Sequence, residues 1–405
     1  MLFTKNPKQI QMTKIPNQYA LIDLNGIATP CYICDEDALE RNLKVLSSVQ
    51  EKSGCKIILA LKGFAMFSLF PVIRKYLKGT AVSSLDEARL GFEEFGGELH
   101  LYSPAYKDDE FESLLPYADH ISFNSFSQWR RFKPAISKYK KKKIECGIRI
   151  NPEHSEVKYP IYDPCGKYSR LGVKAELFQS EDLEGISGLH FHNLCGLNVD
   201  ALERTLKVLE ENFGRYIKQM RWINFGGGHH ITNTNYDIDK LCKLIIDFRE
   251  RYKVEVYMEP GESVVLNSGV LAASVLDIIH NEMDIAILDT SAAAHMPDVI
   301  EMPYKPKILG ASSTGNEQPA ANNRHIYKLT GLTCLAGDVI GDYSFPEPLQ
   351  VGSKLIFLDM AHYTMVKNNT FNGIRLPSIA ICNSKTGQVR VVREFGYDDY
   401  KNRLS

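Results

Sequence analysis

The sequence predicts a (β/α)8 barrel of the TIM type, joined to a second, mostly β, sandwich-like domain. Two observations carry this prediction. Eight short β-rich runs recur between about residue 36 and residue 265, at 56–62, 80–84, 99–103, 120–124, 145–150, 188–192, 222–225 and 254–258, each followed by a helix-like stretch. Segments such as 37–49, 86–95, 201–216 and 238–252 space apolar residues three or four apart with charges between, as helices covering a core do. Beyond residue 265 the texture changes to β-branched runs at 285–288, 326–330, 354–358, 379–382 and 389–393, separated by turns. Alternating β/α units imply a parallel sheet, and eight of them over this length imply its closure into a barrel. The segments at 19–22 and 31–33 also read as extended, so the expected division is a barrel at 36–265 bracketed by a β domain from 1–35 and 266–405.

Composition narrows the function classes. The 405 residues are 44% hydrophobic and 24% charged, with 48 Lys+Arg against 49 Asp+Glu, which excludes a disordered, fibrous or disulfide-stapled miniature chain. A net charge of -1 supplies no basic field for nucleic acid. No stretch approaches the ~18 apolar residues of a membrane span, because Lys62 and Pro71 interrupt the most apolar segment. The N-terminal segment lacks the apolar core of a signal peptide, so a cytoplasmic setting is expected, with the nine cysteines reduced. Cys31 and Cys34 form a C-x-x-C, but within an extended TPCYICD segment without a second pair, which favours a structural role over zinc or redox chemistry.

A barrel places its chemistry at the carboxyl ends of its strands. The first run closes on Lys62, a charge ending an apolar strand. A lysine desolvated there has a lowered pKa and can form a Schiff base, the linkage by which proteins hold pyridoxal phosphate, although a rim lysine can also merely snorkel. The sixth run puts His190 and His192 on one face. With His229 and His230 they form a weak metal candidate lacking a spaced acidic ligand, so stacking of His192 on a flat ring is the favoured reading and no metal is expected. The seventh run ends in Gly226, Gly227 and Gly228, whose bare backbone can close around a phosphate. The eighth ends in Glu259, a carboxylate able to hold a pyridine nitrogen protonated.

Taken in order, these residues resemble the pyridoxal-phosphate-dependent basic amino-acid decarboxylases, the ornithine and diaminopimelate decarboxylase family with an alanine-racemase-like barrel. The resemblance spans nearly the whole chain through LALKG, HFHNLCG, NFGGGHH, MEPGE, DTSAAAHMPDVIEMPY, LTCLAGD and AHYTMVKNNTFNG. It implies covalent attachment of pyridoxal phosphate to Lys62, ring stacking by His192, phosphate contacts from the three glycines and Tyr363, and Glu259 on the ring nitrogen. It also implies Cys334 as general acid, delivered by the partner subunit of a homodimer whose active sites are shared. The sequence departs from the usual pattern in placing Glu262 where relatives carry Arg after EPG, and Leu335 where an acid follows the cysteine. An acid in place of a cation disfavours a second substrate carboxylate and favours an extended polycation such as a carboxylated triamine. Glu262 and Asp298, then Asp338 and Glu301, are the acids expected to pair with its amines.

Overall fold

The computed structural model describes residue 24, residues 26–313 and residues 325–405; the extended segment expected at 19–22 lies outside the described residues. All eight runs form strands of one parallel barrel. Its first strand is interrupted at Ile58, giving Lys56–Ile57 and Leu59–Ala60, and the others are Gly79–Val82, Glu98–Tyr102, His120–Phe123, Glu145–Arg149, Ile186–His190, Trp222–Asn224 and Glu255–Met258. The interruption is where the ring closes: Lys56–Ile57 pairs with the eighth strand and Leu59–Ala60 with the second.

Four of the helices outside the barrel begin at capping side chains. Asp35, Ser84, Ser125 and Asp237 each accept a hydrogen bond from a first-turn backbone N–H of Glu36–Ser53, Leu85–Leu90, Phe126–Lys138 and Ile238–Tyr252. The alternation fails at one place. Among the described residues no helix longer than three residues joins the fifth and sixth strands. That connection carries Pro152, Pro160, Pro164, Gly166, Gly172 and Gly185, and proline removes helix donors while glycine raises the entropic cost of a helix. After the eighth strand only the short helix Glu262–Val265 follows, and Glu36–Ser53, which precedes the barrel in the chain, packs against it and against Ile238–Tyr252.

The barrel interior is unusually aromatic and polar toward its amino-terminal end. His100 and His120 stack with ring centroids 3.9 Å apart, Trp222 meets His120 edge-on, and the Tyr257 hydroxyl lies 2.9 Å from Glu98 and 3.0 Å from Lys56 Nζ. Trp222 fits because its neighbours are glycines: a Cβ at Gly188 would lie 2.0 Å from Trp222 Cε2, and one at Gly147 would lie 2.5 Å from its Cη2. Overfilling so tight a layer costs about 1–3 kcal/mol. Gly188→Ala should therefore lower stability by that order, read as a shifted urea midpoint at unchanged slope.

The second unit is a mixed sheet organised by the long strand Gly269–Asn281. Its first half pairs antiparallel with Cys31–Asp35 on one side and with Lys354–Leu358 on the other, and its second half pairs with Met283–Leu288. Ser378–Cys382 extends the sheet parallel to Cys31–Asp35, and Val389–Arg393 follows. His325–Thr330, Val339–Phe345 and Ser312–Ser313 continue it beyond Met283–Leu288. Cys31 and Cys34 are buried in the sheet, and burial pushes both thiols up, so neither is reactive.

Candidate active site

The carboxyl ends of the barrel strands bring Lys62, His192, Glu259 and the triple glycine together. Lys62 follows the first strand and stands solvent-accessible in a mouth otherwise walled by protein. Desolvation lowers its pKa, Glu259 opposes that, and Arg149 adds to it. The loops after the first and eighth strands touch: a Cβ at Gly63 would lie 2.9 Å from Gly261 Cα.

Asn224, at the end of the seventh strand, fixes the next two features at once. Its amide donates to Glu259 Oε1 at 2.6 Å, and its carbonyl accepts from the Gly226 N–H at 2.8 Å. Gly227 N–H donates to His192 Nδ1 at 2.9 Å, which makes Nδ1 the unprotonated nitrogen and sets the plane of the ring. Burial, then the charges of Lys62 and Arg149, hold His192 well below its usual pKa, so it is a neutral ring. Two of the three glycine N–H groups are thus engaged within the protein, and what the glycines contribute is room: Cβ atoms at Gly226, Gly227 and Gly228 would lie 2.4, 2.5 and 1.9 Å from the carbonyl oxygens of Phe191, Glu259 and Leu194.

The four histidines weighed as a metal site do not form one. His190 is buried with Nε2 3.8 Å from Glu259 Oε2, while His229 Nε2 lies 3.3 Å from the Phe225 carbonyl. Among the described residues, the one group at metal-ligand spacing is Glu98, His100 and His120, at the far end of the barrel, where Lys56 already supplies a cation 2.8 Å from Glu98.

The second unit closes the mouth from one side. Tyr363 N–H donates to the Gly63 carbonyl at 2.8 Å, placing the tyrosine directly over the Lys62 loop. Burial, then the nearby Glu262 charge, push its phenol well up, so it stays protonated. Glu262 lies 3.2 Å from His230 Nε2, and His362 Nε2 lies 3.2 Å from Asp359. Burial acts to raise Glu262, but His230 and His362 outweigh it and hold the carboxyl low. Asp298 and Glu301 are both engaged by Lys367.

Two further expected residues lie in the second unit. Asp338 is buried and its carboxylate accepts from the Ser291 hydroxyl at 2.9 Å, the Thr333 hydroxyl at 2.6 Å, and the N–H groups of Ala293 and Thr333 at 3.2 Å. Within the chain its oxygens are therefore engaged in building the turn that carries Cys334. Cys334 itself is exposed, its N–H held 2.8 Å from Asn372 Oδ1, beside exposed Leu332, Leu335 and Phe371.

Sequence reasoning missed Arg149, Tyr102 and Cys195. Arg149 ends the fifth strand, lies over the Tyr102 ring at 4.4 Å and donates to the His192 carbonyl at 3.2 Å. Its signal was the one used for Lys62, a charge closing an apolar strand. Cys195, exposed in the same mouth, has its thiol pushed up by burial and by Glu262.

A model of the pyridoxal-dependent decarboxylases, described by their C-terminal sheet domain, matches residues 31–361. The chain belongs to this family of pyridoxal-dependent decarboxylases. It is 49% identical, over 93% of its length and 98% of the relative's, to a carboxynorspermidine/carboxyspermidine decarboxylase of Campylobacter jejuni. It is 44% identical, over 94% and 96%, to a carboxyaminopropylagmatine decarboxylase of Synechocystis. Among solved structures, the Campylobacter jejuni carboxynorspermidine decarboxylase complexed with norspermidine superposes with a TM-score of 0.86 at 48% identity, covering 93% of this chain and all of that one. Helicobacter pylori diaminopimelate decarboxylase shares the fold, with a TM-score of 0.78 at 18% identity over 94% and 98% of the two chains. Among the described residues, no helix is long and apolar enough to cross a membrane.

The pocket also makes a pH prediction. Burial would lower His362, but Asp359, Glu262 and Asp298 together raise it to about 9. A pKa raised above the unfolded value of 6.5 stabilises the fold fully below that value, and the stabilisation is lost as pH rises through 9. The wild type should lose up to about 3 kcal/mol between pH 6.5 and pH 9.5 that His362→Gln does not lose, measured by denaturant unfolding at the two pH values.

Proposed function

We propose that this decarboxylase releases carbon dioxide from carboxynorspermidine or carboxyspermidine, leaving norspermidine or spermidine, in polyamine synthesis. The observation that carries this reading is the acid set Glu262, Asp298 and Glu301 grouped around the mouth that holds Lys62, in a chain alike over nearly its whole length to a relative of that specificity. A polycationic substrate meets opposite charge there.

The residues present fit pyridoxal phosphate: an accessible lysine of lowered pKa, a neutral histidine ring of fixed plane, a carboxylate clamped by Asn224 and a turn with no room for side chains. When bound, the cofactor supplies the electron sink for the charge left on Cα as carbon dioxide departs. Lys62, whose pKa desolvation lowers, is the nucleophile that would hold it. His192 would cover one face of its ring, and Glu259 would keep a proton on its ring nitrogen. The glycine turn and the Tyr363 hydroxyl would hold its phosphate, and Glu262 would orient the substrate's amines.

The proton returned to Cα is assigned to Cys334 of a second subunit, in a homodimer with shared sites. Within one chain this thiol is exposed on a loop flanked by exposed apolar side chains, the setting of a contact surface. In this reading residues 36–265 form the cofactor-binding unit, which also carries Glu262, and residues 1–35 with 266–405 form the unit that supplies Cys334, Asp298 and Glu301. A cytoplasmic setting accords with nine unpaired thiols.

Carbon dioxide release should be assayed in parallel with carboxynorspermidine, carboxyspermidine, carboxyaminopropylagmatine, meso-diaminopimelate and L-ornithine. Release from the first two above the others is the expected result. Preference for the guanidinium substrate would move the chain toward its Synechocystis relative, and preference for diaminopimelate or ornithine would overturn the reading of the acids.

Two variants test the chemistry. Lys62→Ala should lose the covalent adduct that borohydride reduction fixes in the wild type, read as the mass of the intact chain. Mixing Lys62→Ala with Cys334→Ala, each inactive alone, should restore roughly a quarter of wild-type activity by forming dimers with one intact site. No recovery after verified subunit exchange would place the thiol's function within its own chain.

A further inference from the structure

Lys367 is an ammonium that neither the sequence motifs nor the reaction accounts for. It closes the four-residue helix Thr364–Lys367, which starts at Tyr363 over the Lys62 loop. Its Nζ lies between Asp298 Oδ1 and Glu301 Oε2 and contacts both. The segment carrying it is well anchored: Asn369 donates to the Ala293 carbonyl at 3.0 Å and to the Ala294 carbonyl at 2.8 Å. The lysine side chain itself is only partly buried, with 31% of its side-chain surface exposed, so its four-carbon stem can swing to solvent without disturbing that anchor.

Two carboxylates with one ammonium between them leave one negative charge. The favourable position for a cation, equidistant from both acids, is already filled. A second ammonium bound to the remaining oxygens would sit within a few ångströms of the first and repel it. A substrate ammonium that replaces Lys367 keeps every carboxylate paired and adds no buried charge.

Resting on the proposed polyamine specificity, we propose that Lys367 holds the position of the substrate's distal ammonium, and that substrate binds by exchanging its own ammonium for that of Lys367. The lysine is then a specificity residue. Only a substrate long enough to place a cation between Asp298 and Glu301 can displace it, and shorter amino acids leave the pair closed. The lysine also keeps the two acids from facing each other unpaired while no substrate is present.

The test uses the pyridoxal-phosphate-loaded protein and two variants: Lys367→Met, which keeps the stem and removes the charge, and Lys367→Arg, whose planar fork grips carboxylates more firmly. Spermidine, the product triamine, serves as a calorimetric probe that requires no turnover. Exchange predicts that Lys367→Met binds spermidine about fivefold to tenfold more tightly and lowers KM for carboxyspermidine by a similar factor. It predicts weaker binding and a higher KM for Lys367→Arg. Weaker or unchanged binding by a Lys367→Met protein that melts as the wild type does would make the lysine an organiser of the acids and overturn the exchange. Wild-type protein that neither turns over carboxyspermidine nor binds spermidine would instead remove the substrate reading, and the exchange with it.

Discussion

The carbonyl oxygens of Phe191, Leu194 and Glu259 crowd the turn after the seventh barrel strand so closely that no side chain fits at three successive positions. That constraint follows from closing eight parallel strands into a ring, which draws the ends of the sixth, seventh and eighth strands toward one axis. Gly226 and Gly228 also adopt positive φ, at 67° and 79°, which only glycine does without strain. With the turn so placed, Asn224 reaches Glu259, and the Gly227 N–H reaches His192. The orientation of the ring and of the carboxylate are therefore consequences of backbone packing rather than separate features.

Charge in the mouth is arranged in matched pairs. Glu262 faces His230, Asp359 faces His362, and Asp298 with Glu301 faces Lys367. Isolated carboxylates in a desolvated pocket are costly to keep charged, and a basic partner beside each lowers that cost. The acids grouped in the mouth are what remains to attract a polyamine.

The barrel was legible because parallel strands buried on both faces read as short apolar runs, and because polar or charged residues close several of those runs. Lys62, His192, Glu259 and the glycines stood out by position alone. The missing helix between the fifth and sixth strands was written in its prolines but overridden by the regular alternation around it. The partners of Asp338 were not legible, because an acid near a candidate cysteine looks the same whether it faces a ligand or a set of hydroxyl and backbone N–H donors; only tertiary packing shows which groups its oxygens meet. Lys367 lay in a quoted motif without a role, since its partners stand more than sixty residues away in sequence. Arg149 carried the Lys62 signal and was passed over.

The strand Cys31–Asp35 pairs with Gly269–Asn281 on one edge and with Ser378–Cys382 on the other. The first described strand to leave the ribosome must therefore wait for nearly the last before its sheet is complete. Through that interval of synthesis the barrel strands have all emerged and can fold among themselves, while Cys31–Asp35 remains an unpaired edge. Pairings so remote in sequence are slow to form. A chaperone that covers this edge, or a truncation that removes residues 378–382, would act on the yield of assembled protein long before it altered any step of catalysis.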